Sequence, residues 1–360
     1  MAVSEYGVNH PMAVKHWSAD LMKEALKKTY ALQFMGKDKN ALAQIKTELN
    51  KSAGDKITFG LRQQLQGDGV SGDATLEGNE EALEIYTDAV LIDQLRHAVR
   101  SAGKMSEQRV PFEVRAEARD GLADWWADRI DTAFFNQLCG NTRVTDTKFT
   151  GSQATVEPDA AHVVFHSQSL GSSHANESLI TAADVFDLSV IDLAREKATV
   201  GAPNPIRPIR IGSDNYYVMF IHPFQVFNLR TSTATGQWRD IQQSALEGGQ
   251  RTGNPLFTGA LGVYNNTILH EATRITLGSQ SASASSGIAL RRSVFCGAQA
   301  AAVAFGRRSG KNTYSWKEEM FDYGNQLGVA AGSIWGAKKT RFNGSDHAAI
   351  VVVTAAASHG

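Results

Sequence analysis

Cysteine is almost missing from this sequence. Cys139 and Cys296 are the only two in 360 residues, and both have apolar neighbours. Neither belongs to a CxxC or Cys/His array, so a disulfide scaffold and a zinc module are both excluded. A chain of this length needs neither, because it can bury about 75% of its unfolded surface in two or three domain-sized units. Proline is scarce as well, eight residues against 32 glycines with 42% hydrophobic residues, a composition that describes an ordered globular chain. Charge of one sign is also lacking: 36 basic and 37 acidic residues leave a net of -1. The molecule as a whole therefore lacks the field of a dedicated nucleic-acid binder, and any contact with a polyanion must be local. No apolar run reaches signal-peptide or membrane-spanning length, so the expected setting is a reducing cytoplasm or something assembled there, with no membrane partner. In that setting the sequon Asn176-Glu177-Ser178 carries no meaning.

What is present is a glycine-rich stretch with the spacing Gly67-x-Gly69-x-x-Gly72. That is the spacing of a dinucleotide fingerprint, which requires a helix to open at the third glycine so that its N-terminus meets the pyrophosphate. Here Asp73, Glu77, Gly78 and Glu81 follow, carboxylates that repel phosphate and a further glycine. The flanks alternate apolar and polar residues, from Ile57 to Leu65 and again from Leu83 to Leu91, the period of half-buried strands. Two strands joined by about seventeen residues exceed an ordinary hairpin turn several-fold. The stretch therefore predicts a long hairpin reaching away from the body. A lone hairpin with an apolar face is poorly stable in water and wants a partner surface, in the same chain or in a neighbour.

Elsewhere the spacing predicts an amphipathic helix from Ser18 to Tyr30 and a long one between Pro111 and Leu138, with Leu122, Trp125, Trp126, Ile130, Phe134 and Leu138 on one face. Residues 141–180 are polar and weakly periodic, which predicts a surface excursion. Thr181-Ala-Ala-Asp184 has the form of a capping box opening a helix through Ile191 and Ala194. Ile209 to Ile221 reads as strand with a turn at Ser213 to Tyr216, and Ala349 to Thr354 as a buried strand. Three chemical signatures fail on their own residues. Gly306 to Asn312 is one residue short of a phosphate loop, with Asn312 in the magnesium-ligand position. His270-Glu271 lacks the second histidine of a zinc-protease helix, since Arg274 occupies that place. His162, His166 and His174 lack the further ligands and outer-shell partners of a metal site. With no G-x-S-x-G elbow either, no catalytic, cofactor or metal residue is assigned.

Six blocks in order along the chain resemble one family: SAGDKITFGLRQQLQGDGVSGDATLEGNEEAL (52–83), IDQLRHAVRSAGKM (92–105), ARDGLADWWADRIDTAFFNQLCG (118–140), DNYYVMFIHPFQVFNLRT (214–231), NPLFTGALGVYNNTILHE (254–271) and VFCGAQAAAVAFG (294–306). They are similar to the tailed-phage major capsid proteins typified by that of the N-four phage. The resemblance implies an α+β shell fold of the Hong Kong ninety-seven type. Its parts would be an N-terminal arm (1–51), an extended β-hairpin loop (52–92), a peripheral domain with a long spine helix and a surface insertion (93–180), an axial domain (181–290) and a return to the peripheral domain (291–360). It implies that Gly67, Asp68, Gly69, Gly72, Leu76 and Gly78 contact a neighbouring subunit. Expected partners are further copies in hexamers and pentamers, portal, decoration or scaffolding proteins, and double-stranded DNA held by non-specific contacts. The expected location is the virion capsid, assembled in the host bacterial cytoplasm. Two other readings are an encapsulin-like compartment around a protein cargo, and a nucleotide-dependent enzyme using the Gly67 or Gly306 loops.

Overall fold

A helix of 26 residues, Val114–Cys139, passes through both hydrophobic interiors of the molecule. The computed structural model describes residues 29–47, 54–62, 65, 67–73, 75–111, 113–168, 173–201, 205–231, 260–278, 288–306 and 314–358. The helix expected from Ser18 falls outside these, except for Thr29 and Tyr30, and so does the stretch 307–313. Pro111 stands between the long helix and a short one, Lys104–Gln108, so the long helix starts just past this proline as expected. The long helix closes on Gly140, whose left-handed φ of 64° suits a helix terminus. A Cβ at that glycine would lie 2.8 Å from the Val156 carbonyl oxygen, so the close approach also requires glycine.

The first half of the helix lies on a six-stranded sheet. Its path is Met35–Gly36, Ala43–Lys46, Ala301–Phe305, Gln326–Lys339 and Tyr314–Phe321, with Asp93–Arg100 pairing along the other side of the long strand Gln326–Lys339. Ser333 thus meets both Tyr314 and Leu95. Ala118, Leu122, Trp126 and Ile130 recur every four residues and fill this interior together with Trp316 and Trp335, while Trp126 meets Tyr314 edge-on at 5.1 Å. Trp125 falls at the margin, half-buried and stacked on His97 at 4.6 Å.

The second half of the helix, Phe134, Phe135 and Leu138, enters the interior of a seven-stranded sheet. That sheet runs Val163–Phe165, Ala349–Ala355, Leu290–Cys296, Asp214–Ile221, Thr267–Glu271 and Ala260–Tyr264, with Ile209–Ile211 also on Asp214–Ile221. The chain after residue 291 therefore does not go as one piece to the six-stranded sheet. Ala349–Ala355 and most of Leu290–Cys296 belong to the sheet built largely from 181–290, and strands between 301 and 339 belong to the other. The reason lies in composition. All seven residues of AIVVVTA are buried, and only a strand inside a covered sheet satisfies such a run.

Two more expectations are corrected. Residues 141–180 are not simply a surface excursion, because Val163–Phe165 joins the seven-stranded sheet and Thr150, His162, His166 and Glu177 are buried. Parts of this segment are tied to the interior, Gln137 Nε2 donating to the Thr150 carbonyl at 2.6 Å and Ser345 Oγ to Asp159 at 2.7 Å. Thr181 does donate to Asp184, from N at 2.7 Å and from Oγ1 at 2.8 Å, but no helix begins there. Asp184 is also taken by Gln168 N and His174, and the helix Leu188–Val200 starts beyond it, capped by Asp187. The expected turn before Tyr216 sits slightly earlier, with Gly212 at φ 66°. The new element at Pro223 is a helix, Pro223–Thr231. No described helix is long and apolar enough to cross a membrane.

Candidate functional site

The glycine-rich stretch forms the outer part of a hairpin whose arms are Lys56–Arg62 and Ile85–Leu91, paired antiparallel from Lys56 opposite Leu91 to Arg62 opposite Ile85. Its root is apolar. Ile57, Val90 and Ile92 are buried against Ala302 and Ala304, flanked by Phe59 and Ile334. A polar clamp adds to this, because Asp88 accepts from Arg341 N at 2.9 Å and from the Lys338 ammonium. Open clefts of about 350 Å³ and about 130 Å³ flank the root, the first lined by Lys56, Thr87 and Lys338, the second by Lys46, Phe59 and Phe342.

Beyond Arg62 and Ile85 the ribbon loses strand pairing, and the described residues up to Leu83 are almost all exposed. Gly69, Gly72 and Gly78 have φ of 72°, 66° and 89°, with open space where a Cβ would stand. Turns follow Gly72 where a dinucleotide site needs a helix, so the residues do not build one. Gly67 N donates instead to Glu81 at 2.8 Å and Gly78 N to Glu80 at 2.7 Å, which ties the tip to its own carboxylates. Asp68 and Leu76 are exposed, so all six residues expected to act between subunits lie on this one projection. Of the fourteen large hydrophobic residues exposed among the described residues, five lie on the hairpin: Leu65, Leu76, Leu83, Ile85 and Leu91. Between Arg62 and Arg96 there are eight carboxylates and no lysine or arginine.

The other candidate groups are dispersed. His162 Nδ1 is 2.7 Å from Asp159, His174 Nε2 is 3.1 Å from Asp184, and His270 lies on the strand Thr267–Glu271. Burial raises the pKa of Asp159, but hydrogen bonds from Ser345, Asp346 N and His162 outweigh it and bring it to about 2. Asp184 also falls to about 2, burial again being outweighed, here by bonds from Thr181, Gln168 N and His174.

The family model for phage capsid protein matches residues 5–358. This chain belongs to that family. A major capsid protein of Pseudomonas phage KPP25 is 29% identical over 349 residues, covering 91% of this chain and 89% of the relative. The capsid of Ralstonia phage GP4 has the same fold at 35% identity, with a TM-score of 0.82 and 100% of each chain covered. The capsid of Cyanophage Pam1 shares the fold at 21% identity, with a TM-score of 0.70 over 99% of this chain and 95% of its own. As a major capsid protein of a phage, the chain has a structural role, and the mixed helix and sheet architecture is that of tailed-phage capsids.

Several residues that hold this capsid subunit together escaped the sequence reading. Asp131 is buried on the spine helix and accepts from Tyr30 N at 2.9 Å and Ala31 N at 2.8 Å, fastening the described start of the chain. Its position between Ile130 and Phe134 on the apolar face was the available signal. Arg292 donates to the Cys139 and Gly140 carbonyls at 3.2 and 3.0 Å and to Glu177 at 3.1 Å, closing the end of the spine helix. No local pattern announces these contacts, because Arg292 lies more than 100 residues along the chain from each of its partners.

Proposed function

We propose that many copies of this chain close into an icosahedral shell of hexamers and pentamers around double-stranded DNA, with the hairpin of each copy lying across a neighbour. The observation that carries the reading is the exposed ribbon itself, which places five large apolar side chains in water along a hairpin held by a narrow root. Each is about half exposed, so covering it would contribute on the order of 1 kcal/mol, about half the value of a full burial. Modest contacts suffice, because a subunit held by several neighbours forms its later contacts at high effective concentration.

In this proposal residues 1–51 are the arm, 52–92 the extended loop and 93–180 the start of the peripheral domain. The axial domain takes 181–290 together with the strands Leu290–Cys296 and Ala349–Ala355 that pair within its sheet, and the rest of 291–360 is peripheral. Gly67, Asp68, Gly69, Gly72, Leu76 and Gly78 form the intersubunit contact, the glycines letting one sequence bend differently in different surroundings. The chain acts by assembly and not as an enzyme. It assembles in the host bacterial cytoplasm, meets portal and decoration or scaffolding proteins there, and contacts DNA through phosphate without reading sequence. Deleting residues 67–79 tests the reading. The expected product is a folded subunit that yields no closed shells by electron microscopy, and normal shells from that variant refute the role of the loop.

A further inference from the structure

The root of the hairpin rests on a short turn, residues 340–347, that touches both of its arms. Phe59 on the first arm meets the Phe342 ring edge-on at 6.0 Å, and Asp88 on the second accepts from Arg341 N at 2.9 Å. The turn is a small two-stranded piece, Arg341 opposite Asp346 and Phe342 opposite Ser345, with Asn343 and Gly344 at its tip. His347 closes its base. The His347 N–H donates to the Thr340 carbonyl at 3.0 Å, and its ring lies edge-on to Phe342 at 5.2 Å. His347, Phe342 and Phe59 therefore form one file of rings that leads from the body of the subunit to the arm.

The surroundings of His347 oppose a positive charge. Its half-buried ring lines the same cleft as Lys39 and Lys46, and His162 is close enough to resist a proton on it. The carboxylates of this corner are already engaged. Asp346 holds the Lys339 ammonium at 2.6 Å and the Arg341 guanidinium at 3.1 Å. Asp159 holds His162 at 2.7 Å and accepts from Ser345 Oγ at 2.7 Å. Burial, and after it His162, hold the pKa of His347 below the ordinary histidine value.

We propose that the turn 340–347 is an acid-sensitive seat for the hairpin, and that a proton taken up by His347 unseats it. This rests on the reading that the hairpin bridges copies. The charged imidazole has to leave the Phe342 ring for water in the open cleft, and Phe342 then loses the backing that presses it on Phe59. The sign follows from the depressed pKa. The seated state binds fewer protons than the loosened one, so seating is fully favoured above about pH 6.5 and weakens as the pH falls. Because one proton is involved, the loosened fraction rises by at most about tenfold for each pH unit. At neutral pH the hairpin keeps one direction; in acid it is free to change it.

Limited proteolysis of unassembled subunits between residues 63 and 84 reads the seat. His347→Phe is the reference, since it takes no proton and keeps a ring on Phe342. His347→Gln takes its place if that variant does not fold. Dividing the parent rate by the reference rate at each pH cancels the pH dependence of the protease and of every other group. The ratio is expected to be at least about threefold higher at about pH 5 than at about pH 7.5. A ratio that stays flat over that range overturns the seat. It leaves the intersubunit reading in place, because deletion of residues 67–79 is scored separately, in shells. Normal shells from that deletion remove the intersubunit reading, while a rising ratio still establishes the seat as a property of the subunit.

Discussion

Replacing Arg292 with methionine should destabilise the subunit far more than its loss from a surface would. Arg292 and Glu177 are each 4% exposed at the side chain and lie 3.1 Å apart, and the guanidinium also serves the carbonyls of Cys139 and Gly140. Arg292→Met leaves a buried carboxylate facing an apolar side chain and strips a donor from two carbonyls at the end of the spine helix. Breaking a buried pair from one side costs about 3–5 kcal/mol, and each orphaned carbonyl adds about 1–3 kcal/mol where water cannot reach it. The broken pair alone, about 4 kcal/mol against a urea dependence of about 3 kcal/mol per molar, lowers the unfolding midpoint by more than about 1 M. The assay is urea denaturation of unassembled subunits followed by tryptophan fluorescence, since Trp126, Trp316 and Trp335 are all buried. The double variant Glu177→Leu/Arg292→Met should recover part of the loss, because removing both charges together avoids leaving one stranded. A single variant within about 1 kcal/mol of the parent, or a double variant worse than the sum of the singles, refutes the argument.

Two further outcomes follow from the hairpin root and from the depressed carboxylates. Asp88→Ala removes the acceptor for Arg341 N and for the Lys338 ammonium, so it should cost about 2–4 kcal/mol and raise protease cleavage between residues 63 and 84; an unchanged cleavage rate counts against the clamp. Asp159 and Asp184 titrate at about 2 in the folded subunit, against about 4 when unfolded. The unfolded chain therefore binds more protons in that window, and stability should fall as pH drops from about 4 through about 2. Asp131, raised by burial, acts with opposite sign above that window. Midpoints measured below pH 4 should decline in the parent and flatten in Asp159→Asn; a flat parent curve disposes of the assignment.

The parts of this fold legible from sequence are those whose signal is local. Leu122, Trp126, Ile130, Phe134 and Leu138 mark the spine helix by spacing alone, and the alternation around Ile57 and Val90 marks the hairpin arms. Glycine with carboxylates between them gave the exposed tip. What stayed hidden depends on distant partners. The strand Ala349–Ala355 shows its burial in its own composition, but nothing in AIVVVTA says that Leu290–Cys296 and Val163–Phe165 will flank it. Thr181 and Asp184 form the bonds of a capping box, yet Gln168 and His174 claim the same carboxylate and the helix starts later. Tyr323 reads as an ordinary turn residue until the backbone shows how far it projects.

The long helix has one more consequence. Since a single rod is embedded in the oily interior of each sheet, the two halves of the subunit cannot swivel against each other without tearing one of those interiors open. In the proposed shell such pieces would act as stiff tiling, and whatever slack a curved, closed surface demands would have to be found in the grout: the ribbon, with its slender foothold and its open clefts on either side.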